Sequence, residues 1–269
     1  MRRETSLLTL KHLVIDLDGV LYVGQEVIPG AARFIAFLRM QNLGFVLATN
    51  NSTRTPQQYV DKLTLMGIDV RPGEVLTSAQ ATAGYLVTVA PRGSRVFVVG
   101  MDGLRAALQD AGFCLVEEDA DFVVAGMDFT ICFERLAAAT LQIRAGARFI
   151  GTNPDRTFPS EQGIIPGCGS LLAFLETATG VSPTIIGKPQ TAMLEQALRL
   201  MEAAPAHTAM IGDRLETDIL AGRRAGLSTL LMMSGVTDPG MLATSEIQPD
   251  LVFRDLGELC EVWEATLGG

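Results

Sequence analysis

The chain has 269 residues, of which 48% are hydrophobic, and carries a formal net charge of −9. That length and composition suit a globular protein of one or two domains with a sizeable core and exclude a disordered chain. No apolar run reaches the roughly 18 residues needed to cross a bilayer, and the acidic balance argues against nucleic acid or an anionic membrane as partner.

Residues 1–6 include Arg2 and Arg3, but the apolar stretch that follows is short and is broken by Lys11 and His12. It runs into two acids with no small-residue cleavage site between, so a first strand is expected here and a signal peptide is not. Short apolar runs at 13–16, 45–49, 96–100, 122–125, 148–152, 184–187, 208–213, 229–233 and 251–253 are strand candidates. Helical patterns separate them. Ala31, Phe34, Ile35 and Leu38 recur at helical spacing, as do Leu194, Ala197, Leu198 and Met201. Gly44 and Gly226 follow helical segments, where left-handed caps are expected. Such alternation builds βαβ units and a mostly parallel α/β sheet, which binds ligands beyond the carboxyl ends of its strands.

Cys114, Cys132, Cys168 and Cys260 show no CxxC spacing, so neither a zinc site nor a disulfide framework is suggested. Reduced thiols and a cytoplasmic location are the expectation, and there the sequon Asn51-Ser52-Thr53 has no meaning. His12 and His207 are the only histidines, which disfavours a Ser-His-Asp triad or a multi-histidine metal site. Carboxylates, lysine and hydroxyls must carry the chemistry.

The first strand ends in Asp16-Leu17-Asp18-Gly19. Side chains two apart on a strand share a face, so both carboxylates emerge together, and a divalent cation such as Mg²⁺ would relieve their repulsion. Thr49-Asn50-Asn51-Ser52-Thr53 ends the second run, as an anion cradle or as helix capping by Ser52, Thr53 or Thr55. Lys188, directly after the 184–187 run, could neutralise a phosphate or a carboxylate nucleophile, or be merely solvated. Asp213 ends another run; Asp218, five residues on, could converge with it on one cation or favour a helix dipole. Four successive strand ends carrying such groups are expected to share one edge of one parallel sheet. The 95–145 stretch is chemically quiet and reads as an inserted domain.

The ordered set DLDGVLYVG (16–24), TNNSTRTP (49–56), GKP (187–189) and GDRLETDI (212–219) resembles the haloacid dehalogenase superfamily of phosphatases, and within it the NagD / p-nitrophenylphosphatase subfamily. The resemblance spans nearly the whole chain, including GTNPD (151–155) and PGCGS (166–170). It implies a Rossmann-like doubly wound parallel core, formed by 1–81 and 184–269, with an inserted α/β cap at 82–183. It also implies a Mg²⁺-dependent phosphatase acting on a small phosphorylated metabolite of sugar phosphate, phosphoglycolate or nucleotide type. Asp16 would be the nucleophile, forming an aspartyl phosphate, and Asp18 the general acid and then base. Asp16, the carbonyl of Asp18, Asp213 and Asp218 would hold Mg²⁺. Thr49 and the Asn50 amide would bind phosphoryl oxygens with Asn51 close by, and Lys188 would balance charge. The cap loop 153–159 would face the site. Pyridoxal phosphatase-like members have a histidine near position 158, where this chain has Phe158, so that substrate is disfavoured. Phosphotransferase or phosphomutase chemistry on the same core and a non-enzymatic phospho-receiver are the alternatives. A homodimer through the cap is expected from the subfamily.

Overall fold

The computed structural model describes residues 7–160 and 163–268; the arginine-bearing segment 1–6, weighed above as a possible leader, lies outside them. In chain order, β1 (His12–Ile15) leads to a short hairpin of β2 (Tyr22–Val23) and β3 (Glu26–Val27). Then come α1 (Ala31–Met40), β4 (Gly44–Thr49), α2 (Pro56–Leu65), β5 (Val75–Thr77) and α3 (Ser78–Val89). The middle of the chain holds β6 (Arg95–Val99), α4 (Asp102–Asp110), β7 (Cys114–Leu115), β8 (Phe122–Ala125), α5 (Phe133–Arg144) and β9 (Arg148–Gly151). A hairpin of β10 (Thr157–Ser160) and β11 (Gly163–Pro166) follows, with α6 (Cys168–Thr179), β12 (Thr184–Ile185) and α7 (Ala192–Leu200). After β13 (Thr208–Gly212), a π-helical turn at Leu215–Ile219 runs into α8 (Leu220–Arg224). The chain then forms β14 (Ser228–Met232), α9 (Pro239–Thr244), β15 (Leu251–Phe253) and α10 (Leu256–Gly268).

Two compact units divide these elements. One runs up to Thr49 and includes Gln57–Leu76 and the chain from Leu194 onward; the other holds Asn50–Pro56 and Thr77–Met193. The first is built on a six-stranded sheet in the order β15-β14-β13-β1-β4-β5. β1 pairs in parallel with both β4 and β13, and β14 and β15 continue in parallel beyond β13. Strand order reverses at β1, the signature of a doubly wound sheet, and the crevice between β1 and β13 is its topological switch point. Strands covered on both faces read as continuous apolar runs. Val46, Leu47 and Ala48 of β4 and all five residues of β13 are accordingly buried.

The apolar stripe of α1 buries Ala31, Phe34, Ile35, Phe37 and Leu38. Phe34 and Phe37 meet Trp263 of α10 at ring separations of 6.4 and 5.8 Å, the spacing of tilted aromatic pairs. The expected left-handed cap at Gly44 is not found. Asn42 takes the left-handed conformation after α1 (φ 54), while Gly44 opens β4, where a Cβ would stand 2.6 Å from the His12 ring. Gly226 is left-handed as expected (φ 73).

The second unit has its own parallel sheet, ordered β12-β9-β8-β6-β7. Phe97, Val99, Val123 and Phe149 from this sheet pack with Ile143 of α5 and Leu172 and Leu175 of α6 to form its core. Its β12 pairs with β9, Thr184 opposite Ile150 and Ile185 opposite Gly151. This corrects one expectation: the run preceding Lys188 is an edge strand of the second sheet, so the four motif-bearing strand ends do not belong to a single sheet. Alternating strands and helices look alike in either sheet, and partner choice is a tertiary property.

Candidate active site

β1 and β13 run in register, with Ile15 opposite Ile211, and the Asp16 N–H extends the ladder to the Ile211 carbonyl at 2.9 Å. Asp16 and Asp213 therefore emerge side by side at the carboxyl edge, at the switch point. The π-helical turn, a local widening often found at functional positions, brings Asp218 back toward Asp213. Asp16, Asp213 and Asp218 each present a carboxylate oxygen, all within 4.8 Å of one another, with Asp213 and Asp218 buried. Asp213 is oriented by the Val236 N–H, which donates to its Oδ2 at 2.6 Å, and Asp218 by the Arg214 N–H at 3.1 Å. Three converging carboxylates repel one another. An all-oxygen set of this kind suits a hard divalent cation.

Gly19 belongs to this arrangement for a steric reason. Its φ is +83°, and a Cβ there would fall 2.4 Å from Asp213 Oδ2. The Gly19 carbonyl also accepts a 2.8 Å hydrogen bond from the Ser234 hydroxyl. The Asp18 carboxylate is exposed and is not one of the three converging groups. It accepts a hydrogen bond from the Tyr22 hydroxyl at 3.3 Å, while the Gly19 N–H donates to the Tyr22 carbonyl at 2.8 Å. Burial, and next the Asp18 charge, push ionisation of the Tyr22 hydroxyl far above its ordinary range, so it remains a donor. Its ring lies under the Lys62 ammonium, 3.5 Å from the centroid. Sequence reasoning missed Tyr22; its signal is the spacing of four residues from Asp18 across a turn.

Thr49 ends β4, whose Leu47 is opposite Ile15 of β1, and so lies at the same carboxyl edge, 3% exposed. The residues that follow belong to the second unit. Asn51 Oδ1 accepts from both the N–H and the hydroxyl of Thr53, each at 2.8 Å, closing an Asx turn before α2. Lys188 is 2% exposed. The Asn50 side chain binds both its N–H and its carbonyl, so the structure brings Asn50 and Lys188 together across 138 residues. In the β10–β11 hairpin, Phe158 meets Phe129 edge to face at 5.7 Å.

The doubly wound sheet and the acidic trio at its switch point define an α/β enzyme with an oxygen-rich site. Residues 13–114 match the family model of haloacid dehalogenase-like hydrolases, and residues 185–259 match a second, HAD-hydrolase-like model. An acid sugar phosphatase of Staphylococcus aureus is 41% identical over 249 residues, covering 92% of this chain and 96% of its own. The structure of NagD from E. coli superposes with a TM-score of 0.87 at 34% identity, covering 93% of this chain and 98% of that one. A glycerol phosphate phosphatase from Mycobacterium tuberculosis, solved in complex with magnesium, gives 0.88 at 33% identity over 93% of this chain and 76% of that one. The chain belongs to the NagD-like branch of the haloacid dehalogenase-like hydrolases, and it is a phosphoric monoester hydrolase.

Proposed function

We propose that the protein is a Mg²⁺-dependent phosphatase that hydrolyses a small phosphorylated metabolite, of sugar phosphate type, through an aspartyl phosphate on Asp16. The observation that carries this reading is the convergence of Asp16, Asp213 and Asp218 within 4.8 Å, with a second acid, Asp18, two residues along. The acid sugar phosphatase relative supports the substrate class; phosphoglycolate or nucleotide-type substrates are the competing choices for the same chemistry.

Asp16 attacks the phosphorus through a carboxylate oxygen, and the bond to the leaving oxygen breaks. Asp18 gives that oxygen its proton, then removes one from the water that attacks the acyl phosphate and releases inorganic phosphate. Asp16, the Asp18 carbonyl, Asp213 and Asp218 would hold Mg²⁺, which would supply electrostatic stabilisation of the transferring phosphoryl group. Thr49 and the Asn50 N–H bind phosphoryl oxygens, with Asn51 closing the adjacent turn. Lys188, a buried cation, offsets the repulsion between carboxylate and phosphate. The second unit, Asn50–Pro56 and Thr77–Met193, serves as the cap expected at 82–183, and the enzyme works in the cytoplasm as a homodimer formed through the cap.

The test is release of phosphate from p-nitrophenyl phosphate by wild type and Asp16→Asn, with Mg²⁺ and with EDTA. Turnover that needs the metal and falls at least about a thousandfold in the variant is expected. Metal-independent turnover, or an active Asp16→Asn enzyme, overturns the mechanism. Transfer of phosphate to an added alcohol in preference to water would replace hydrolysis with phosphotransfer.

A further inference from the structure

Lys188 sits in a loop with little sheet to hold it, because β12 is only two residues long. The neighbouring main chain is tied locally: Gly187 N–H donates to the Thr152 carbonyl at 2.8 Å, and Gln190 N–H to the Gly187 carbonyl at 3.0 Å. The two main-chain groups of Lys188 itself go to one side chain. Its N–H donates to Asn50 Oδ1 at 2.8 Å, and its carbonyl accepts from Asn50 Nδ2 at 2.9 Å. A carboxamide used this way imitates a peptide group in a β-bridge. Two bonds fix the orientation of the lysine's root as well as its position, where a single bond would leave a pivot.

The bracket is anchored from behind. The Asn50 carbonyl accepts from the Ser78 hydroxyl at 2.5 Å and from Asn153 Nδ2 at 2.7 Å, while Asn50 Nδ2 also faces the Asp155 carboxylate at 3.2 Å. Space is arranged to match. A Cβ on Gly187 would lie 2.7 Å from Asn50 Oδ1 and 2.6 Å from the Thr152 carbonyl, so only glycine lets the lysine loop close on Asn50. Lysine has a long flexible stem and a compact charge, so the placement of its ammonium depends on where its Cα is held.

We propose that the Asn50 side chain is a positioning residue that acts through Lys188, separate from the phosphate contact expected of the Asn50 backbone N–H. This inference rests on the charge-balancing role given to Lys188 above. Binding determinants displaced by about 1 Å lose on the order of a hundredfold in rate. A side chain that works only through another residue loses its effect when that residue is removed.

The experiment is a double-mutant cycle of Asn50→Ala and Lys188→Met. It measures kcat and KM for p-nitrophenyl phosphate at saturating Mg²⁺, and the Kd for inorganic phosphate by calorimetry. Asn50→Ala alone is expected to lower kcat ten- to a hundredfold and weaken phosphate binding about tenfold, while the same change in the Lys188→Met background alters either quantity less than twofold. The isosteric Asn50→Asp keeps the acceptor for the Lys188 N–H but lacks the donor for its carbonyl, so it runs the same cycle with packing preserved should the alanine variant fail to fold. An Asn50 effect of equal size in both backgrounds, or no effect in wild type, overturns the inference. Wild-type behaviour of the single Lys188→Met variant overturns the role of Lys188 itself, and that failure is recognised in that variant alone.

Discussion

Gly19→Ala tests whether the acidic trio is held at a sterically defined spacing. At φ +83° a residue with a Cβ costs about 1–2 kcal/mol in backbone strain. The new Cβ would lie 2.4 Å from Asp213 Oδ2 and 2.5 Å from its Cγ, so the carboxylate must retreat by about 1 Å to reach an ordinary contact distance of roughly 3.5 Å. That same oxygen accepts the 2.6 Å bond from Val236 N–H, and loss of a hydrogen bond to a charged group costs about 1.5–3 kcal/mol. The expected destabilisation is about 3–4 kcal/mol, within the 5–15 kcal/mol typical of a domain, so the variant remains folded. Gly24→Ala is the control. Gly24 is also left-handed (φ +60), but among the described residues nothing lies within 4 Å of a Cβ there, so alanine should cost only about 1 kcal/mol of stability through strain. Urea denaturation followed by circular dichroism gives the two stabilities, and a Mg²⁺ titration of p-nitrophenyl phosphate hydrolysis gives the metal requirement. Gly19→Ala should raise the half-saturating Mg²⁺ concentration at least tenfold and lower kcat about a hundredfold, with Gly24→Ala near wild type in both. If the two variants match in stability and in metal requirement, the steric argument around Asp213 is wrong.

Two further outcomes follow from buried titrating groups. Burial pushes the Cys168 thiol up to about 11, and Cys260 likewise, whereas Cys114 and Cys132 are exposed. A disulfide reagent at pH 8 should therefore label two thiols in the native protein and four in urea, and labelling of Cys168 in the native state would contradict its burial. The raised folded value also means that this stability is present below pH 9 and is lost as pH rises toward 11. His12 shows the opposite case. Burial, then the charges of Lys11 and His207, hold its pKa below the ordinary 6.5. The unfolded chain takes up that proton first, so stability falls as pH drops below 6.5. The melting temperature of wild type should decline more steeply between pH 7 and pH 5 than that of His12→Asn, and equal slopes would remove His12 from the account.

Much of the fold was legible because its determinants are local. Runs with period-independent burial, such as Phe45-Val46-Leu47-Ala48, mark two-sided parallel strands wherever they fall, and the α1 stripe needs only its own spacing. Several short elements were not legible, although the runs that become β12 and β15 were. β5, β7 and both hairpins are two to four residues long, too short for a period to show, and pairing partners alone make them strands. Asn42, and not Gly44, turns the chain after α1, since either residue tolerates the left-handed region and the His12 ring decides that position 44 must lack a side chain.

The site divides in the same way. Asp16-x-Asp18 and Gly212-Asp213 announce themselves as acids at the end of apolar runs, but β1 ends at Ile15, so strand alternation does not hold both acids of the first pair on one face: Asp16 joins the trio and the Asp18 carboxylate stands apart. Asp218 joining Asp16 required the pairing of β1 with β13 and the π-helical turn. The sheet to which the Lys188 segment belongs and the two-point hold of Asn50 on Lys188 were settled by tertiary structure alone. Sequence by itself determined which chemical groups stand at strand ends. Which ends meet depends on hydrogen-bond partners far along the chain, such as Asp16 on Ile211 and Asn50 on Lys188, and no local pattern encodes that choice.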